Sequence, residues 1–564
     1  MKQIIQLIAS LFIANLMNAQ TPNLDWAKGI VCTNANKANS IISDLNGNVY
    51  TVGYFAGISD FDPSQGTYTL SSNGINDAFI LKQDQTGNLV WAKNIGGSSI
   101  DFAYSINLDN ANNVYVTGAF QGTVDFDPNP STYNLTSFGD YDIFVLKLDA
   151  SGNFLWARQM GGSSTDYGYS IKVNSSGVYI SGFFNGVSEF NQLPATQTLS
   201  SVGGTDAFVA KLNINGNFLW AKQIGGTASE IAYSITVDAF GDVILCGNFE
   251  GTADFDPSAN VSSLTSSGSS DIFISKLDAS GSFVWAKNLG GSLADIGMAI
   301  TTNTLGEIYT TGYFQALADF DPSSSNYTLS SFGGSTDIFI SKLDVSGNFI
   351  WAKAIGGSSN DLCNAIALDV SGYVYMTGSF NGTIDFDPNS TVNNLTSVGS
   401  KDIFILKIDD NGNFVWAQNY GDITSDNGYA ISVDVANVIY TTGTFTNKVD
   451  FDLSAGIDTL SAVSGMGNIY VLKLNESTLG LKDNWNSNNI NIYPNPFNNK
   501  LNVMFLRQVD GFYLTVLNSL GQIIKIINKP DQEQTVDFSG LPNGVYYLKI
   551  KNSSEQQTIK IIKI

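Results

Sequence analysis

From Tyr104 to Arg158 short apolar runs and polar turns alternate in an order that predicts four strands. Tyr104-Ser105-Ile106-Asn107-Leu108-Asp109 alternates as a first strand, and Asn113-Val114-Tyr115-Val116-Thr117-Gly118 follows after a tight turn. A long polar loop then carries Asp125-Phe126-Asp127-Pro128 and ends near Gly139. Asp142-Ile143-Phe144-Val145-Leu146-Lys147-Leu148-Asp149 reads as a third strand, and an Asp-x-Ser-Gly-Asn hairpin turn joins it to Phe154-Leu155-Trp156-Ala157-Arg158. The same order returns along the chain. Trp-Ala-Lys or a close variant stands at Trp26, Trp91, Trp156, Trp220, Trp285, Trp351 and Trp416, 64 to 66 residues apart. Four antiparallel strands at a fixed long period predict an all-β fold, a β-propeller of four-stranded blades.

Counting the repeats sets the number of blades. Val-Tyr-x-x-Gly-type strands end at Gly53, Gly118, Gly182, Gly247, Gly312, Gly378 and Gly443. Third strands end at Lys82, Lys147, Lys211, Lys276, Lys342, Lys407 and Lys473. The chain opens with a fourth strand at Trp26 that has no first three, and its last unit has no fourth. Pairing of the Trp26 strand with the strand ending at Lys473 closes seven blades and removes a free edge. The unit resembles a bacterial β-propeller repeat marked by a Val-Tyr-x-Thr-Gly strand and a Lys-Leu-Asp-x-Ser-Gly-Asn turn; the resemblance implies a fold and says little of activity.

The two ends differ from the repeats. Residues 1–19 read as a secretory signal, with Lys2, an apolar run from Ile4 to Leu16 and Met17-Asn18-Ala19 before the expected cleavage point. That run is too short to span a membrane, and no other stretch approaches the ~20 apolar residues a span needs, so no transmembrane segment is expected. Residues 20–475 form the propeller, and 476–489 a polar linker suited to cleavage. Residues 490–564 alternate strands with Gly and Pro-Asn turns, predicting a small β-sandwich of about seven strands. This segment carries Tyr493-Pro494-Asn495-Pro496, Leu517 to Gly521, Gly544-Val545-Tyr546-Tyr547-Leu548-Lys549 and a Lys-rich end at Lys560-Ile561-Ile562-Lys563. It resembles the type A C-terminal sorting domain of the type IX secretion system of Bacteroidetes. The resemblance implies the type IX machinery as a partner and export through the outer membrane. It also implies a protein secreted or held on the outer cell surface once signal and sorting domain are removed.

Charge narrows the partners. Lys and Arg number 27 against 50 Asp and Glu, a net charge of −23. The sorting segment is weakly basic, so residues 20–489 hold 18 basic and 45 acidic side chains, a net −27. That excludes nucleic acid and anionic membranes as expected partners and favours neutral, cationic or metal-bridged ones. Three cysteines, Cys32, Cys246 and Cys363, cannot pair completely and are expected as buried thiols. The absence of histidine removes the commonest general base and metal ligand.

Two acidic motifs recur and are expected to share one face. Asp101, Asp166, Glu230, Asp295, Asp361 and Asp426 follow the fourth strands as a candidate binding ring, which Asn36 breaks in the first blade. Asp125 and Asp127, Asp254 and Asp256, Asp319 and Asp321, Asp385 and Asp387 lie in the long loops and could hold calcium. Asp beside Pro and Gly also caps turns, a use that needs no metal. The repeated Trp residues are expected to pack blade on blade.

Near-identical blades argue against catalysis, because a catalytic site needs unlike residues converging at one point. No catalytic residue and no cofactor is therefore expected. The reading favours a secreted or surface-held propeller that binds an extracellular glycan or protein. The alternatives are a structural or adhesive surface component and, less favoured, an enzyme acting on polysaccharide with paired carboxylates.

Overall fold

The computed structural model describes residues 21–476 except 65, 192–196, 455 and 463–466. It also describes 490–563 except 494–496, 506–512, 519–522, 529–530, 543 and 552–555. The expected signal, nearly all of the expected linker, and parts of the Tyr-Pro-Asn-Pro and Leu-x-x-x-Gly signposts lie outside the described residues. The chain divides into two compact units, one through Glu476 and one from Ser477. All regular structure among the described residues is strand, and every sheet is antiparallel.

The first unit contains seven four-stranded modules. In the second module Asp101–Leu108, Val114–Phe120, Asp142–Leu148 and Phe154–Gly162 pair in that order. In the seventh the fourth strand comes from the start of the chain: Asn23–Cys32 pairs with Asn468–Asn475, setting Ala27 opposite Leu472. The first strand of each module packs against the first strand of the next, and that of the seventh against that of the first. Between modules lie nearly dry apolar clusters, such as Tyr115, Ile143, Val145, Trp156, Ile180 and Phe208.

The repeated Trp side chains tie module to module. Trp26, Trp91, Trp156 and Trp351 donate their indole N–H to the carbonyls of Gln85, Ala150, Ile214 and Asp410, each in the hairpin turn of the next module. The seventh module has no such turn, because its fourth strand comes from the start of the chain. There the Glu476 carboxylate takes the carbonyl's place, 2.9 Å from Trp416 Nε1 and 2.6 Å from Lys407 Nζ. Glu476, expected to open the linker, thus belongs to the seven-module unit.

The long loop is more ordered than its polar sequence suggests. Thr123–Asp125 and Asn134–Thr136 form a short ribbon, and equivalents recur in the other modules. The Gly-Gly end of the preceding fourth strand pairs with it, as at Gly226 and Ala253. A Cβ on Gly226 would stand 2.2 Å from the Thr252 carbonyl oxygen, so this approach requires glycine.

Among its described residues the second unit has seven strands in two sheets. One joins Ile490–Tyr493, Lys500–Phe505 and Glu533–Asp537; the other joins Ile523–Asn528, Tyr513–Asn518, Gly544–Lys551 and Gln556–Lys563. Both cover one core that includes Leu501, Val503, Leu514, Val536 and Leu548.

Candidate functional site

The acids expected to form an exposed ring are enclosed instead. Asp101, Asp166, Glu230, Asp295, Asp361 and Asp426 are at most 1% exposed. Each accepts the amide of the residue four before it, such as Gly97 N to Asp101 Oδ2 at 2.8 Å and Gly226 N to Glu230 Oε2 at 2.8 Å. Most also hold the end of their module's second strand, as Gln315 N to Asp295 Oδ1 at 2.9 Å and Asn381 N to Asp361 Oδ1 at 2.9 Å. Asp166 binds the Gly162 and Asn185 amides, and Asp426 those of Asp422 and Thr446. The ring expectation is corrected: these side chains staple the joints because uncovered amides need an acceptor there.

A second buried acid acts on each one electrostatically. Asp77, Asp142, Asp206, Asp271, Asp337 and Asp402 stand on the third strands of the preceding modules and have no exposed surface. Six junctions thus hold a pair of carboxyls, and the junction of modules seven and one holds Asn36 and Asn468 instead. There Cys32 N donates to Asn468 Oδ1, and Asn36 Nδ2 donates to the Gly467 carbonyl.

Burial pushes the carboxyls of Asp101, Asp142, Asp295, Asp337 and Asp426 up to about 7. It raises Asp166, Asp206 and Asp361 to about 6 and Glu230 to about 8. The folded chain therefore holds more protons than the unfolded chain from about pH 4 to about pH 7, and stability falls as pH rises through that window. Urea midpoints of the full chain are expected to be higher at pH 5 than at pH 8. The opposite order would mean that the pairs are ionised and well compensated.

The loop aspartates proposed for calcium hold their own loops. Asp125 Oδ1 accepts the Asp127 and Tyr133 amides at 3.0 and 2.8 Å, and Asp127 Oδ1 accepts Asn129 N. Asp254 with Asp256, Asp319 with Asp321, and Asp385 with Asp387 repeat this pattern. Among the described residues no group of three or more His, Cys, Asp or Glu side chains stands close enough to share a metal ion. The thiols of Cys32, Cys246 and Cys363 are unpaired and buried.

Unlike residues do converge, at positions the repeat count passes over. Each first strand carries a one-residue bulge, between Ala103 and Ser105 in the second module and at the matching place in the other six. A bulge re-aims its extra side chain. The bulged residues are Asn39, Tyr104, Tyr169, Tyr233, Met298, Asn364 and Tyr429, all half-buried. Two residues earlier stand Lys37, Phe102, Tyr167, Ile231, Ile296, Leu362 and Asn427, also half-buried.

These side chains touch across modules. Tyr104 and Tyr169 rings lie 5.1 Å apart, and Tyr169 and Tyr233 lie 5.4 Å apart. Tyr54 meets Phe102 at 4.9 Å, and Tyr141 meets Tyr167 at 5.3 Å. The aromatic arc covers modules one to four; Ile296, Met298 and Leu362 follow as an aliphatic stretch. Lys37 Nζ lies 3.9 Å from the Tyr429 ring centre, joining modules one and seven. Asn39 and Asn364 donate their amides to the Ala103 and Gly428 carbonyls at 2.8 and 2.7 Å. Aligning the first strands of the modules position by position in the sequence shows this row as variable, beside acids that repeat from module to module.

Residues 491–564 match the family described as the secretion system C-terminal sorting domain. An uncharacterized WD repeat-containing protein, L264 of Acanthamoeba polyphaga mimivirus, is 24% identical over 498 residues, covering 74% of this chain and 36% of its own. The regulatory protein FlaEY of Caulobacter vibrioides is 24% identical over 395 residues, covering 64% and 38%. The chain thus spans little more than a third of the length of these relatives. Among solved structures, PorZ, an essential surface component of the type IX secretion system of Porphyromonas gingivalis, is 13% identical with a TM-score of 0.25, covering 94% of this chain and 82% of its own. Sqt1 of Chaetomium thermophilum is 9% identical with a TM-score of 0.37, covering 80% and 99%. The chain ends in a type IX secretion sorting domain, and its place is the cell surface or the medium beyond it.

Proposed function

We propose that this chain is a seven-bladed β-propeller carried out by its sorting domain, and that it works outside the cell as a non-catalytic binding module for a glycan or a protein. Closure of the seventh blade by Asn23–Cys32 and the continuous contact of the first strands support the propeller. The observation that carries the binding reading is the row centred on Tyr104 and Tyr169, where half-buried unlike side chains gather on bulged strands. We call this row the mouth.

The carboxylates favour binding over hydrolysis. A glycosidase sets two carboxyl groups about 5–9.5 Å apart across a reachable sugar bond. Here the paired acids are enclosed in near-equivalent joints, and the mouth positions carry none. A panel of extracellular glycans and surface proteins, screened by thermal shift on the full chain, tests the reading. At least one panel member is expected to raise the unfolding temperature without releasing reducing ends. Turnover of a saccharide would replace the proposal with an enzyme.

A further inference from the structure

We infer that the mouth takes an acidic saccharide, its sugar rings lying on the Tyr104–Tyr169 arc and a uronic carboxylate drawn to Lys37 Nζ. The inference rests on the binding-module reading above.

Three rows of the first strands differ in charge from the chain as a whole. The chain is net −23, yet Asp and Glu are absent from the bulged positions, from those two residues before them and from those three residues after. The same three rows contain two lysines, Lys37 and Lys172. Five of the seven lysines that end the third strands have carboxylate partners, among them Lys276 with Asp238 at 2.9 Å, Lys342 with Glu307 at 2.8 Å and Lys473 with Asp25 at 2.9 Å. Lys37 and Lys172 have none within 4 Å among the described residues. Lys37 also follows Asn36, at the one junction where amides replace the acid pair.

Desolvation brings the Lys37 ammonium down to about 8 and lowers that of Lys172 as well. An anion at the mouth would offset that loss of hydration by Coulomb attraction in a partly dry site.

The aromatic arc selects among anions. The rings run from Tyr54 and Phe102 through Tyr104 and Tyr169 to Tyr233, across four consecutive modules. Such a row suits a chain of flat amphipathic rings rather than a single inorganic ion. The hydroxyls of Tyr104, Tyr169 and Tyr233 make no hydrogen bond among the described residues, so they are available to sugar hydroxyls. A nucleic acid also stacks on tyrosine, but a phosphate at every unit would meet residues of net −27 with only Lys37 and Lys172 in the three rows. A sparsely charged saccharide avoids that repulsion.

The test titrates the full chain by calorimetry with hexasaccharides of hyaluronan, unsulfated chondroitin and heparosan, each carrying one carboxylate per two sugars. Their carboxyl-reduced counterparts and hexaglutamate complete the panel. At least one acidic saccharide is expected to bind, with affinity falling about tenfold on carboxyl reduction, on Lys37→Gln and on Tyr104→Ala. Unchanged unfolding temperatures would show that the variants are folded. Equal binding of acidic and reduced forms, lost in Tyr104→Ala, would overturn the acidic assignment and leave the mouth reading intact. Binding of hexaglutamate alone would overturn it in favour of a peptide. Acidic binding unmoved by both substitutions would overturn the inference and the mouth together, and no binding of any acidic saccharide would overturn the inference.

Discussion

Ile30→Asp is expected to lower the stability of the seven-module unit by at least about 4 kcal/mol. Ile30 is fully enclosed on the N-terminal strand, opposite Ile469 and clustered with Phe55, Phe61 and Phe79. A carboxylate there loses the apolar contacts and gains no partner. The consequence reaches beyond one contact, because this strand covers the edge of Asn468–Asn475 and carries Trp26 to the Gln85 turn. Val31, the next residue, is 41% exposed, so Val31→Thr is expected to stay within about 0.5 kcal/mol. Urea unfolding of the full chain, followed by tryptophan fluorescence, separates the two. Equal midpoints would show that the strand is not integral to the unit.

Gly118→Ala is expected to cost about 3 kcal/mol, the upper end of the usual range for overpacking. A Cβ there would stand 1.8 Å from the Phe102 carbonyl oxygen and 2.8 Å from Phe144 Cε1. Backbone cannot yield as a flexible side chain can, so the first strand must shift. The shift would fall at the bulge between Ala103 and Ser105 and would turn Tyr104 away from Tyr169. Loss of ligand-induced thermal stabilisation should therefore accompany the loss of stability. Gly29→Ala is the control, since its Cβ would meet Leu460 at an ordinary 3.7 Å. A Gly118→Ala chain as stable as Gly29→Ala would contradict the close packing at the bulge.

The period of the Trp-Ala-Lys copies made the strand order of a module legible, and counting made the partner of the Trp26 strand legible. Repeated residues announce what every module needs. The motif glycine at 118 is one such need, since only a residue without Cβ fits against the bulged strand. The same regularity obscured the site. Simple alternation from Tyr104 sets Tyr104, Ile106 and Leu108 on one face, but the bulge leaves Tyr104 half-buried while Ile106 is enclosed. A single extra residue has no signature in hydrophobic period. Burial of Asp101 and its counterparts was hidden for another reason: their partners are backbone amides, which every residue has. The aspartates of the long loops read first as turn caps and only second as ligands, and their spacing lacks the dense acidic pattern of calcium loops. The tyrosine arc needed a third dimension, because Tyr104, Tyr169 and Tyr233 meet across 64 or 65 residues of chain.

The central claim is that the ligand sits at the mouth and not on the outer rim, where Leu155 and Leu219 form part of a repeated, half-exposed apolar row. Calorimetric binding of one panel ligand to two full-length double variants tests it most directly. Tyr104→Ala with Tyr169→Ala is expected to abolish binding, while Leu155→Ala with Leu219→Ala leaves affinity unchanged. Binding that survives the tyrosine pair and fails with the leucine pair would contradict the account.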